Sequence, residues 1–334
     1  MVERDGHTVT AKLLGANDEA DFESAVRILL EGGLVAIPTE TVYGLGADAS
    51  NPEAVARVFA AKGRPANHPL IVHVADLERA RMLSSDWSAS AEVLGRTFWP
   101  GPLSILTPRS EIVPLDVTGG RATVVVRVPR HPATLRLLTE LHAAGSCGLA
   151  APSANRFGEV SPTTARHVMT DLGGKIDAIL DGGACEVGLE STIVDCSADP
   201  ADILRPGAIT RHNVASTLAE HGIGVTSRTH AERSQDTNAI APGMLRSHYA
   251  PSTRLEVFET DVLLLAARQS HESAGRSVEV VPRPPDDFEY SRSLYAMLRE
   301  CDARRADVML AVLPADEGLG TAIRDRLLRA SADR

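Results

Sequence analysis

The stretch D-F-E-S-A-V-R-I-L-L-E-G-G-L-V-A-I, residues Asp21 to Ile37, decides how the rest of the chain is read. Phe22, Ala25, Val26, Leu29 and Leu30 recur at three- and four-residue intervals, which predicts an amphipathic helix closed by Gly32-Gly33. Leu34 to Ile37 then reads as a short buried strand. A helix feeding a strand is the pattern of an α/β fold, and it returns downstream. Asn51 caps a helix from Pro52 to Lys62, with proline in its favoured first turn, and Leu70 to Val74 follows as a strand. Thr123 to Val128, Leu149 to Ala151, Ile176 to Leu180 and Thr192 to Asp195 are further strand candidates.

From Val225 to about Ser252 the periodicity fades into a polar stretch that suits a linker or an active-site segment. Alternation then resumes. Leu255 to Phe258, Val278 to Val281 and Val308 to Val312 read as strands, and Val262 to Ala267, Tyr290 to Arg299 and Ala322 to Arg329 as helices. That order favours a small three-layer domain with a mostly parallel sheet.

At 334 residues the chain exceeds what one core usually fills, so two domains are expected. A hydrophobic share of 43% with 23% charged residues is that of a packed chain. No apolar run approaches the roughly 18 residues of a membrane helix, and Met1 to Asp5 lacks a signal-peptide start, so a cytoplasmic location is expected. The formal charge of −10 disfavours tight phosphate-backbone binding to nucleic acid as the main activity. Cys147, Cys185, Cys196 and Cys301 show no C-x-x-C spacing, so neither a zinc site nor a disulfide framework is indicated.

The densest chemistry lies in P-T-E-T-V-Y-G-L-G (Pro38 to Gly46) and A-K-G-R-P (Ala61 to Pro65). Gly44-x-Gly46-x-x-Ala49 lacks the acid about 20 residues on that a dinucleotide fingerprint needs. Lys62 and Arg64 sit at a helix exit, where the macrodipole alone would favour cations. The functional alternative is that they neutralise a polyphosphate, Arg as a planar fork and Lys as a point charge. In A-P-S-A-N-R-F-G-E-V-S-P-T (Ala151 to Thr163), Ser153 and Asn155 fit either a capped strand-to-helix turn or a phosphate or ribose contact. Arg205, in L-R-P-G-A-I, is a surface arginine or a phosphate clamp. His73, Arg127 and His131 read equally well as structural residues of strands and turns.

The joint order of P-T-E-T-V-Y-G-L, A-K-G-R-P with P-L-I-V-H-V, V-R-V-P-R-H-P, A-P-S-A-N, E-S-T-I-V-D and R-P-G-A-I resembles the threonylcarbamoyl-AMP synthase family over roughly residues 15 to 212. A-P-G-M-L-R-S-H-Y-A-P (Ala241 to Pro251) and G-L-G-T-A-I-R-D-R-L-L-R-A (Gly318 to Ala330) resemble the linker and closing helix of its two-domain form. The resemblance implies a large twisted mixed-sheet YrdC-like catalytic domain over residues 1–212. A linker over the active site (213–253) and a small Rossmann-like domain (254–334) would follow.

The activity it implies is ATP-dependent synthesis of L-threonylcarbamoyladenylate and pyrophosphate from L-threonine and bicarbonate or carbon dioxide. Mg²⁺ would be held by the triphosphate, and the product would pass to proteins that modify an adenosine beside the anticodon of transfer RNA. By the same likeness Lys62, Arg64, Ser153 and Asn155 form the catalytic quartet, and Ser161 and Arg205 join them around ATP. Thr39, Tyr43, His73, Arg127 and Ser191 would receive threonine, and Glu190 would stand behind them. The linker departs from the family's usual more basic and aromatic sequence, and Arg246, His248 and Tyr249 are its remaining candidates for ligand contact. The rival enzyme reading is a related carbamoyl-adenylate former. The rival of another class is a non-catalytic RNA-binding module on the same fold.

Overall fold

A computed structural model describes residues 10–226, 241–244 and 248–332. The first part of the chain runs β1 (Lys12–Gly15), α1 (Glu19–Leu30), β2 (Val35–Ile37), β3 (Gly44–Asp48), α2 (Pro52–Lys62), β4 (Ile71–His73), α3 (Leu77–Met82) and α4 (Ala89–Phe98). It continues through β5 (Leu103–Pro108), α5 (Leu115–Thr118), β6 (Thr123–Arg127), α6 (Pro132–Ala143), β7 (Leu149–Ala150), α7 (Ala165–Leu172) and β8 (Ala178–Asp181). β9 (Thr192–Asp195), β10 (Ala201–Arg205), α8 (Arg211–Ala219) and β11 (Val225–Thr226) complete it. Among the described residues these strands form one mixed sheet in the order β1-β8-β2-β3-β7-β4-β6-β5-β9-β10-β11.

Local chemistry explains the elements nearest the site. The Asn51 side chain accepts from the Glu53 and Ala54 amides, Pro52 opens α2, and Gly63 ends it in the left-handed region at φ 65°. That stop delivers Lys62 and Arg64 on either side of a sharp change in chain direction. β3 pairs antiparallel with β2, so Pro38 to Tyr43 is a hairpin loop. Gly46 is required there: a Cβ would lie 2.7 Å from Leu149 Cδ2 and 3.1 Å from the Val35 carbonyl. The glycines that mimic a nucleotide fingerprint therefore serve close strand packing.

The second unit holds β12 (Leu255–Phe258), α9 (Asp261–Ser273), β13 (Val278–Val280), α10 (Asp287–Ala303), β14 (Val308–Val312) and α11 (Gly320–Ala330). Its sheet, β12-β14-β13, is entirely parallel. Leu264 of α9 packs on one face. Leu294, Leu298, Ile323 and Leu327 of α10 and α11 cover the other, in a cluster that also takes in Val42, Val160, Leu189 and Tyr249. The two domains thus share an apolar core. Within α8, Val214 and Leu218 belong to the core of the large sheet, so this helix extends the large domain beyond residue 212.

Polar contacts fasten the same junction. Arg299 of α10 pairs with Asp171 at 2.5 Å and donates to the Val160 carbonyl, and both side chains are largely buried. Gly188, at φ 76°, lies so close to the Arg292 backbone that a Cβ would overlap it. Arg299→Ala leaves Asp171 without its partner and is expected to cost about 3 kcal/mol of stability. A denaturant midpoint unchanged from wild type would refute that estimate of the joint. No described helix is long and apolar enough to cross a membrane.

Candidate functional site

A cavity opens where the central strands end. The β2–β3 loop supplies Thr39 and Thr41, β4 supplies His73, and β6 supplies Arg127. Ser153 comes from the turn after β7, Glu190 and Ser191 from the approach to β9, and Arg205 from the end of β10. The segment between the domains closes it with Gly243, His248 and Tyr249.

Three buried cations surround this space, and among the described residues none has a carboxylate partner. Lys62 Nζ donates to the carbonyls of Ser153 and Asn155. Arg64 donates to the Pro69 carbonyl at 3.0 Å. Arg205 donates to the Ser191 carbonyl and hydroxyl, both at 3.1 Å, and to the Pro242 carbonyl at 3.0 Å. Burial, reinforced by Arg64, holds the Lys62 amine well below the usual lysine range. Burial and the charge of Arg205 also depress Arg64, to about 10. Both shifts reflect burial of the charged form without a counter-charge, a condition that an anion nearby would relieve.

Several polar atoms in the wall have no hydrogen-bond partner among the described residues: Arg64 Nε, His73 Nδ1, His248 Nδ1 and the Tyr249 hydroxyl. Buried polar groups are normally satisfied, so their convergence marks a surface built to receive polar ligand atoms. Burial, then the Arg127 charge, pushes His73 down to about 3, so it offers neutral imidazole. His248 is likewise held far below the ordinary range by burial and by Arg64 and Lys62. It packs edge-on against Phe157 and Tyr249, and Arg64 lies 5.7 Å from the centre of the Phe157 ring.

The expected residues divide into three groups. Arg64, Ser153, Arg205, Thr39, His73, Arg127, Ser191, His248 and Tyr249 all line the cavity. Lys62, Asn155 and Ser161 are buried behind its wall, where the Asn155 amide donates to the carbonyls of Arg156 and Glu159 and Ser161 donates to Glu190. Lys62 therefore also fixes the Ser153–Asn155 turn. Tyr43 is drawn elsewhere: its hydroxyl donates to the Gly183 carbonyl at 2.7 Å and its ring belongs to the main core. Arg246 lies outside the described residues.

The hydroxyl of Thr39 is already engaged, donating to the Val42 carbonyl and accepting from the Thr41 and Val42 amides. Arg127 is engaged too, ion-paired with Glu40 at 2.9 Å and donating to Thr41. Glu40 and Thr41 escaped the sequence reading although they stand inside its densest motif. A buried acid beside a cavity has no signature apart from the arginine it pairs with 87 positions later.

The family described as "Telomere recombination" matches residues 27–207, and "Threonylcarbamoyl-AMP synthase, C-terminal domain" matches residues 209–332. The threonylcarbamoyl-AMP synthase of Pyrococcus abyssi is 41% identical, the alignment covering 95% of this chain and 96% of the relative. That of Bacillus subtilis is 36% identical over 96% and 95%. This chain belongs to the threonylcarbamoyl-AMP synthase family. The crystal structure of Pyrococcus abyssi Sua5 complexed with L-threonine superposes with a TM-score of 0.87 at 38% identity, over 96% of this chain and 97% of that one. Membership accounts for both domains together, as no catalytic-domain likeness alone would.

Proposed function

We propose that this enzyme makes threonylcarbamoyl-AMP in the cavity described above, from L-threonine, bicarbonate or carbon dioxide, and ATP, with release of pyrophosphate. The observation that carries the reading is the set of three buried cations, Lys62, Arg64 and Arg205, whose described hydrogen bonds all go to neutral oxygens. Such a set is costly to bury without an anion, and a polyphosphate repays the cost.

The chemistry asks for positioning more than for a nucleophilic side chain. The threonine amine captures carbon dioxide as a carbamate with release of a proton, or bicarbonate with loss of water; the carbamate oxygen then attacks the α-phosphorus while the bond from that phosphorus to the bridging oxygen of the departing pyrophosphate breaks. Arg64 and Arg205 at the wall, with Lys62 behind it, would hold the phosphates in line and offset charge on the departing pyrophosphate. Ser153 would add a hydroxyl contact. Neutral His73, Thr39, Ser191 and the Arg127–Glu40 pair would form the threonine end, where the methyl contact separating threonine from serine is worth about 1–3 kcal/mol.

No group of three or more His, Cys, Asp or Glu suited to a metal occurs among the described residues. Glu40 and Glu190 are committed to arginines. This donor set fits a Mg²⁺ that arrives with the triphosphate, where it would neutralise phosphate charge. The product would then pass to the proteins that modify transfer RNA, in the cytoplasm.

Omitting threonine, bicarbonate or ATP in turn from a pyrophosphate-release assay tests the reading; release that persists without threonine would overturn it. A second expectation follows from Lys62. An approaching polyphosphate favours the ammonium form, so where Lys62 is not fully protonated ATP binding should take up a proton, and ATP affinity should fall as pH rises through the lowered Lys62 titration. Calorimetry in two buffers of different ionisation enthalpy reads this directly. Identical heats and a pH-independent affinity would show that Lys62 is charged throughout.

A further inference from the structure

Glu190 belongs to the lining of the cavity in which the reading above places a polyanion, and its buried carboxylate needs a counter-charge. Its Oε1 accepts from Ser161 at 2.6 Å, and its Oε2 accepts from the Tyr295 hydroxyl and from Arg326 Nε, both at 2.8 Å. Two of these three donors belong to the second domain. Arg326 is fully buried and reaches further. It donates to Asp325 at 2.6 Å and to the Pro206 carbonyl at 3.0 Å, and its guanidinium lies 5.2 Å from the centre of the Tyr249 ring. Tyr249 in turn stacks on Tyr295. One arginine of the closing helix thus touches the acid in the wall, the turn that follows Arg205, and the aromatic lid residue.

We propose that Arg326 is a positioning residue for the polyphosphate: it neutralises Glu190 from behind, which leaves Arg205 free to face the nucleotide. This rests on the proposed reading of the cavity as the ATP and threonine site. Glu190 immediately precedes Ser191, the residue that holds Arg205 through its carbonyl and hydroxyl. Arg205, which Ser191 holds, is the other cation whose charge stabilises the Glu190 carboxylate, so without Arg326 it is the remaining one. The carboxylate would then either capture that arginine or repel the phosphates. Zwitterionic threonine, with no net charge, should feel far less of this than ATP does. The second domain accordingly supplies part of the electrostatics of the nucleotide site, in addition to covering it.

The test is steady-state pyrophosphate release by the full-length chain carrying Arg326→Met, Arg326→Lys, and Glu190→Gln with Arg326→Met together. Arg326→Met should raise the KM for ATP at least tenfold while the KM for threonine changes less than threefold. The double variant, which removes both charges, and Arg326→Lys, which keeps the positive one, should each stay within threefold of wild type for ATP. A purely structural arginine would lower the active fraction without moving the KM for ATP. That outcome, or a double variant as impaired as Arg326→Met, overturns the proposal. Where Arg326→Met does not fold, the double variant and Arg326→Lys decide: a tenfold rise in the KM for ATP in either refutes it, and wild-type values in both support it. A wild-type protein that releases no pyrophosphate with threonine and ATP would instead refute the cavity reading itself.

Discussion

Lys62→Ala and Arg64→Ala are each expected to lower threonine-dependent pyrophosphate release by more than tenfold. The two losses should differ in kind. Arg64 lines the cavity, with Nε unpartnered among the described residues, so its removal would subtract a charged donor from the proposed polyphosphate site. Preorganised donors of this sort are worth about a hundredfold in rate. Lys62 stands behind the wall and grips the carbonyls of Ser153 and Asn155. Alanine there removes a positive charge and also leaves two buried carbonyls unsatisfied, at about 1–3 kcal/mol each. Lys62→Ala should therefore lower stability as well as rate, and Arg64→Ala mainly rate. Thermal melts beside the turnover assay separate them, and wild-type turnover in both variants would dismantle the site assignment.

The other large effect is expected from the smallest side chain in the cavity wall. Gly243→Ala should reduce turnover at least tenfold and lower stability as well. Gly243 has φ 80°, a backbone conformation that costs alanine about 1 kcal/mol. A Cβ there would overlap the Tyr249 hydroxyl and lie 2.9 Å from Arg205 Nη1. Neither neighbour has room to yield, because Tyr249 is packed against His248 and Tyr295 and Arg205 is tied to Ser191 and Pro242. The substitution therefore moves Arg205, the proposed phosphate ligand, or the aromatic cover without touching any charge. An alanine variant with wild-type KM and kcat would mean that this close approach is not part of the working site.

Much of the architecture was legible in the chain itself. The helix from Pro52 to Lys62 was bounded correctly because its start and stop are local chemistry, an Asn51 cap, a first-turn proline and a Gly63 terminator. The parallel strands of the second domain announced themselves as compact apolar runs. β3 did not, since Gly44 and Gly46 have poor strand propensity and are held there by β2 on one side and β7 on the other. β10 and α8 were missed for a related reason: α8 has almost no amphipathic pattern, and two residues, Val214 and Leu218, anchor it. At the site, most residues named through the family resemblance line the cavity. Tyr43 does not, because its hydroxyl is held by the Gly183 carbonyl, 140 positions away.

The chain alone determined the α/β alternation, the order of the two domains and the identity of Lys62, Arg64, Ser153 and Arg205 as residues to watch, because caps, periodicity and charged motifs are properties of neighbouring residues. Tertiary structure alone decided which charges cancel. Arg127 is spent on Glu40 and Arg326 on Glu190, while among the described residues the hydrogen bonds of Lys62, Arg64 and Arg205 go to neutral oxygens. Electrostatic energy depends on distance and burial, and the fold sets both, as when it brings Glu190 and Arg326 together from 136 positions apart.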